Sequence, residues 1–156
     1  MKVKLSNCDQ YTIIDDNIKE KITKFNWYLS KNGYAFCTSR KNRTLLHRYI
    51  LGISNSKIRV DHINRNKLDN RIENLRIANS SQNGMNREKQ KNNLTSKYKG
   101  VSFDKNRNKW RAYITINGKT IHLGRFCSEK DAAAAYNKAA LSYHKEFSCI
   151  NENLND

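Results

Sequence analysis

The chain of 156 residues contains no proline, and with its wealth of Asn, Lys and Ile this absence is what an AT-rich coding sequence produces. It also lacks any apolar run near the roughly 20 residues needed to cross a bilayer, and no basic amphipathic helix is long enough to bind a membrane surface. Met1 is not followed by the charged-then-apolar start of a signal peptide, so the expectation is a cytoplasmic protein that is not secreted. The four cysteines, Cys8, Cys37, Cys127 and Cys149, form no C-x-x-C pair. That disfavours structural zinc and fits reduced thiols. Acidic residues are scarce: 14 Asp and Glu stand against 30 Lys and Arg, leaving a net charge of +16. Such a chain repels itself when compact, which points to a polyanionic partner, nucleic acid first and an anionic membrane second. Apolar residues make up only 37%, yet 10% aromatics argue against wholesale disorder. The length suits one compact domain or two small ones.

Three stretches differ in pattern. Residues 1–56 carry strand-like runs at Lys2–Leu5, Tyr11–Ile14, Trp27–Leu29 and Tyr34–Thr38, with a hairpin signal at Asn32-Gly33. Between them, Ile18, Ile22 and Phe25 space out a short helix over Asp16–Lys24. His47-Arg48 sits inside the apolar segment Leu45–Leu51. In residues 57–93, Ile58 and Val60 alternate with Arg59 and Asp61 up to His62. A polar loop from Asn64 to Asn70 leads to a second alternation at Leu75 and Ile77. Asn79 or Ser80 then caps a predicted helix through about Gln90. The run Glu88–Thr95 reads as a linker.

The chemistry concentrates between residues 61 and 83. Phosphodiester hydrolysis needs a base to activate water and a divalent metal to take up phosphate charge. Asp61 and the amide oxygen of Asn83 would give a hard cation two oxygen ligands, and substrate phosphate and water would complete the shell. Strand neighbours point to opposite sides, so Asp61 and His62 can serve metal and water separately. Asn74 is placed to hydrogen-bond across the loop and aim His62. Asn64, Asn66 and Asn70 read as turn residues, and Asp69 as a partner for Arg71 or Arg76.

The run 61–76, Asp-His-Ile-Asn-Arg-Asn-Lys-Leu-Asp-Asn-Arg-Ile-Glu-Asn-Leu-Arg, followed by Gln82-Asn83 and Asn86-Arg87, resembles the HNH nuclease motif. The variant is the one common in homing endonucleases of phages and introns. Upstream, Asp15-Asp16, Trp27-Tyr28, Asn32-Gly33-Tyr34 and His47-Arg48 also recur ahead of such motifs. The resemblance implies a ββα-metal unit with His62 as general base, Asp61 and Asn83 as metal ligands and Asn74 as the loop-fixing catalytic residue. Many relatives of the motif end in His, with a further His one turn on. Asn83 and Arg87 stand there in this chain, so Mg2+, or another divalent cation such as Mn2+, is expected in place of zinc. His47 is left between a phosphate contact and a packing role.

Residues 96–151 form the clearest unit. Tyr98–Phe103 is strand-like, and Lys109–Ile116 alternates with Trp110, Ala112, Ile114 and Ile116 on one face and Arg111, Tyr113 and Thr115 on the other. Asn117-Gly118 turns the chain into an antiparallel strand over Lys119–Arg125. Ser128 with Asp131 forms a capping box for a small-residue helix. Between 96 and 126, Lys97, Lys99, Lys105, Arg107, Lys109, Arg111, Lys119 and Arg125 face Asp104 alone, a surface suited to counterion release from a phosphate backbone. The motifs Ser96-Lys97-Tyr98-Lys99-Gly100-Val101, Lys109-Trp110-Arg111-Ala112, His122-Leu123-Gly124-Arg125-Phe126 and Ala132–Tyr136 with Ala139-Ala140 resemble the ethylene-response-factor (APETALA-type) DNA-binding domain. That family's sheet reads the major groove, which implies DNA-facing positions at Lys99, Ser102, Arg111, Tyr113, Thr115 and His122, with Arg125 beside them. Ser102, Tyr113, Thr115 and His122 depart from the plant pattern, so the plant target does not carry over.

The resulting expectation is an α+β chain: a strand-rich HNH (ββα-metal) nuclease unit over 1–93, with its core at about 57–91, linked to a three-stranded antiparallel sheet packed by one C-terminal helix over 94–156. Its partner is double-stranded DNA, its activity Mg2+-dependent cleavage by a homing-type endonuclease. A non-catalytic DNA-binding regulator with a decayed nuclease half is the alternative, followed by an RNA-binding or structure-selective module. The sequence leaves the oligomeric state open; a monomer suits an asymmetric target and a dimer a palindrome.

Overall fold

A computed structural model describes residues 1–39, 42–89 and 95–154. The chain divides into two compact units, Met1–Asn79 and Ser80–Asp156. The first opens with an antiparallel pair, β1 (Lys2–Lys4) and β2 (Tyr11–Ile13). A 3-10 turn at Asp16–Ile18 leads into the short α1 (Lys19–Ile22). An antiparallel sheet in the order β3-β4-β5 follows, from Tyr28–Leu29, Ala35–Ser39 and Asn42–Leu45, and then α2 (Leu46–Ile50). Last comes the antiparallel pair β6 (Arg59–His62) and β7 (Leu75–Ala78).

The core of this unit gathers Leu5, Ile14, Ile22, Trp27, Ala35, Cys37 and Leu46, all nearly inaccessible. Trp27 keeps its indole N–H satisfied by donating to the Ile22 carbonyl at 2.8 Å, the condition for burying that ring fully. Strand β2 does more than pair with β1. The Ile13 N–H donates to the Leu68 carbonyl and the Asn70 N–H to the Ile13 carbonyl, both at 2.7 Å. The Asp15 carboxylate accepts the Ile72 N–H at 2.7 Å. The β6–β7 loop is therefore pinned by a strand nearly 60 residues earlier in the chain.

The second unit begins with α3 (Ser80–Met85) and continues as a meander, β8 (Val101–Asp104), β9 (Lys109–Ile116) and β10 (Lys119–Phe126), in the order β10-β9-β8. Asn117 and Gly118 both have positive φ, 49° and 78°, the primed turn that matches strand twist. Helix α4 (Glu129–His144) lays Ala132, Ala133, Tyr136, Ala139 and Ala140 on the sheet against Val101, Ala112 and Ile114. Ser128 caps it by accepting the Lys130 N–H.

Several expectations shift. The compact units part at 79/80. The reason is that Lys89 donates to the Tyr98 and Val101 carbonyls, and Lys99 to those of Met85 and Arg87, which ties α3 and its sequel to the C-terminal sheet. Helix α3 ends at Met85, short of Gln90. Positions 90–94, which hold most of the expected linker, lie outside the described residues. Among the described residues no helix is long and apolar enough to cross a membrane.

Candidate functional site

Asp61 and His62 close β6, both buried, at 6% and 4% exposure. Register places Asp61 opposite Arg76 and His62 opposite Leu75. Cross-strand neighbours on one face meet, and the Arg76 guanidinium donates from Nε at 2.9 Å and from Nη2 at 2.7 Å to Asp61 Oδ2. Both partners are largely buried, and Arg76 is thereby taken up by Asp61. Asp69 takes Arg71 instead, Nε to Oδ1 at 2.9 Å and Nη2 to Oδ2 at 2.7 Å. Those bonds hold the Asp69 carboxyl below the usual carboxylate range in spite of burial.

The His62 ring lies among other rings. His47 meets it edge-on with centroids 5.2 Å apart, and Tyr34 stands 6.0 Å away. The Lys67 ammonium sits 4.8 Å over the Tyr34 ring. Burial pulls the His62 imidazole below the ordinary histidine range, against the opposing influence of the Asn70 hydrogen bond and the Asp61 and Asp69 carboxylates. His62 is therefore neutral at pH 7 and able to accept a proton. Burial, then the nearby His62 and Arg48, push His47 down to about 3. A neutral, 5% exposed ring packed on Tyr34 and His62 offers phosphate no charge, which places His47 on the packing side of the two options.

Asn74 lies in the 3-10 turn Ile72–Asn74, just before β7. Its Nδ2 donates to the Asp69 carbonyl at 2.7 Å, and its Oδ1 accepts the Asn64 N–H at 2.9 Å, so one amide spans the loop. Asn64 and Asn66 each accept an N–H two residues on, as turn residues do. Asn70 does not follow them. It is fully buried, with Oδ1 3.2 Å from His62 Nε2 and Nδ2 donating to Thr12 Oγ1 at 2.8 Å. Sequence reasoning missed Asn70, Thr12 and Tyr34 as site residues. Inward alternation on β2 was the only signal for Thr12, and it names a face, not a partner.

Among the described residues no group of three or more His, Cys, Asp or Glu side chains is arranged to hold a metal ion. What β6 offers is one carboxylate beside one imidazole. That donor chemistry fits a hard cation that takes its remaining oxygens from phosphate and water rather than from a closed protein cage. Asn83 is half-buried on α3, within the second unit.

On the C-terminal sheet, Arg111, Tyr113 and Thr115 alternate with buried Ala112 and Ile114. Their partners across β10 are Arg125, His122 and Thr120. His122 and Arg125 are three apart, the wrong spacing for one strand face. A bulge between His122 and Gly124 inserts the extra residue that brings both outward. Arg111 reaches over the Tyr113 ring at 5.9 Å, and Arg125 Nε donates to Asp104 at 3.2 Å. Two of the expected DNA-facing residues have surroundings within the chain. The Lys99 ammonium donates to the Met85 and Arg87 carbonyls, and Ser102 Oγ is buried with no hydrogen-bond partner, opposite Arg111.

Sequence comparison gives two family matches: HNH endonuclease over residues 46–85 and AP2 domain over residues 96–146. An uncharacterised HNH endonuclease of Acanthamoeba polyphaga mimivirus is 35% identical over 136 residues, spanning 84% of this chain and 69% of the relative. APETALA2-like protein 2 of Oryza sativa subsp. indica is 37% identical over 62 residues, 40% of this chain and 14% of the relative. Protein 3.8 of Escherichia phage T7 is 42% identical over 60 residues, 38% of this chain and 49% of the relative. No solved structure matches the chain.

Proposed function

The chain belongs to the HNH endonuclease family and carries an AP2 domain, and on that premise we propose that it is a homing-type, site-directed endonuclease that hydrolyses a phosphodiester of duplex DNA. The observation that carries this reading is the end of β6, where a buried imidazole stands beside a buried carboxylate. His62 takes a proton from water as the water oxygen attacks phosphorus. The bond to the 3′ oxygen breaks, its electrons leave with that oxygen and the oxygen takes a proton from solvent, giving 5′-phosphate and 3′-hydroxyl ends. Asp61 would be the carboxylate ligand of a divalent cation, Mg2+ or Mn2+, and Asn83 would be the second oxygen ligand by its place in the motif. When bound, such a cation would supply charge to the phosphate and the leaving oxygen. Asn74 keeps the loop spanned so that the end of β6 holds its geometry.

The outer face of β9 and β10 docks the duplex, with Arg111, Tyr113, Thr115, His122 and Arg125 as its reading residues. Replacing Arg111 with alanine should lower the slope of log affinity against log salt by about one, as expected for the loss of one phosphate contact. Affinities measured over a salt series check it.

Incubation with supercoiled DNA carrying a randomised site library tests the whole reading. Nicked or linear product in Mg2+ or Mn2+, and none with chelator, is the expected result. Duplex binding without cleavage in either ion overturns it and leaves a DNA-binding regulator.

A further inference from the structure

We propose that Thr12 and Asn70 are positioning residues that fix the His62 imidazole with its hydrogen on Nε2 and its lone pair on Nδ1. The inference rests on His62 being the general base and adds which nitrogen acts and what selects it. The direction of every bond in the chain is forced. A carbonyl oxygen cannot donate, so the contact of 2.8 Å between Thr12 Oγ1 and the Leu68 carbonyl uses the single hydroxyl hydrogen of Thr12. Thr12 Oγ1 can then only accept from Asn70, and the Asn70 group 2.8 Å away must be the Nδ2 amide. The Lys67 carbonyl, 3.4 Å from Nδ2, sets the same orientation. The amide oxygen is thereby turned to His62, 3.2 Å from Nε2. An oxygen acceptor at that distance requires Nε2 to carry the hydrogen, which leaves Nδ1 as the basic nitrogen.

Burial gives the relay its force. Thr12 and Asn70 are both fully inaccessible, so water cannot replace either partner, and an inverted amide would set its oxygen against the Thr12 oxygen and the Lys67 carbonyl, acceptor against acceptor. The device is also non-local. Thr12 belongs to β2, whose backbone grips the same loop at Leu68 and Asn70. The edge-on ring of His47 restrains the plane of the same imidazole from another side. Asn74 acts on the loop backbone, whereas Asn70 acts on the ring.

The test reads the tautomer directly. The full chain, labelled with 15N at histidine, is studied without divalent cation by long-range 1H–15N correlation in mildly alkaline solution. His62 is assigned by the signal missing from His62→Ala. The expected pattern is an Nε2–H imidazole; an Nδ1–H imidazole in the parent chain overturns the proposal whatever any variant does. Thr12→Val frees the amide to turn over and should shift His62 toward Nδ1–H, while Thr12→Ser keeps the parent pattern. In the plasmid assay, Thr12→Val and Asn70→Leu should lower kcat about 10- to 100-fold with KM for the duplex unchanged. Thr12→Ser should restore the parent rate. Parent-like kcat and tautomer in a folded Thr12→Val chain overturn the positioning role. Cleavage that survives in His62→Ala sinks the general-base reading itself, a separate result from the tautomer.

Discussion

Replacing His62 with alanine is expected to slow strand cleavage by about 100- to 10,000-fold, the share a positioned general base contributes. Binding of the duplex should persist, because the outer face of β9 and β10 belongs to the other compact unit. The expected effect exceeds that of any loop substitution because the proposed mechanism gives the proton to His62, and His47, the ring beside it, is pushed down to about 3 by burial and its neighbours. A base must be neutral before it accepts, and burial keeps His62 so at pH 7. Truncation also opens space among His47, Tyr34 and Asn70, side chains that now line the imidazole. Free imidazole added to the variant should enter that space and restore part of the rate. Circular dichroism of the variant guards against a folding defect. A cleavage rate equal to the parent's would remove His62 from the chemistry.

How much of this was legible in the sequence depends on range. The β9–β10 hairpin was readable because alternation and an Asn-Gly turn are both local, and β9 spans the expected Lys109–Ile116. The strand β5 escaped notice because Asn42–Leu45 places three polar residues before a single apolar one and shows no alternation. Strand β8 begins at Val101, three residues after the start of the expected strand-like stretch Tyr98–Phe103, since Gly100 at φ 71° interrupts extended backbone just ahead of it. The Asp61-His62 pair was visible as a motif. Its partners were not, since Arg76 reaches Asp61 only through strand register and Thr12 meets Asn70 across 58 positions of sequence. The bonds of Lys99 were hidden for a similar reason. A lysine in a basic run carries no mark telling whether its ammonium faces solvent alone or, as here, donates to the Met85 and Arg87 carbonyls.

Gly100→Ala is expected to unfold the C-terminal unit or bring it to the edge of unfolding, and with it to abolish duplex binding. Two costs combine at this position. The backbone stands at φ 71°, where an L side chain loses about 1–2 kcal/mol relative to glycine. A Cβ built there would also lie 2.6 Å from the Tyr113 carbonyl oxygen and 2.5 Å from Cε2 of Tyr136. Neither neighbour can give way cheaply. The Tyr113 N–H donates to the Gly100 carbonyl at 2.8 Å, which stitches this residue to β9. Tyr136 is 2% exposed on the inner face of α4, packed with Ile114, Ala139 and Ala140. Relief requires lifting α4 from the sheet or breaking the β8–β9 ladder, and overpacking of this kind costs about 1–3 kcal/mol more. The sum is a large part of the roughly 5–15 kcal/mol that holds a domain together, and a unit this small sits toward the lower end of that range. Hydrogen exchange should show protection lost across β8–β10 and α4 while β6 and β7 keep theirs. A variant with parent-like protection and affinity would mean that α4 and the sheet have slack which the contacts at Tyr136 and Tyr113 do not reveal.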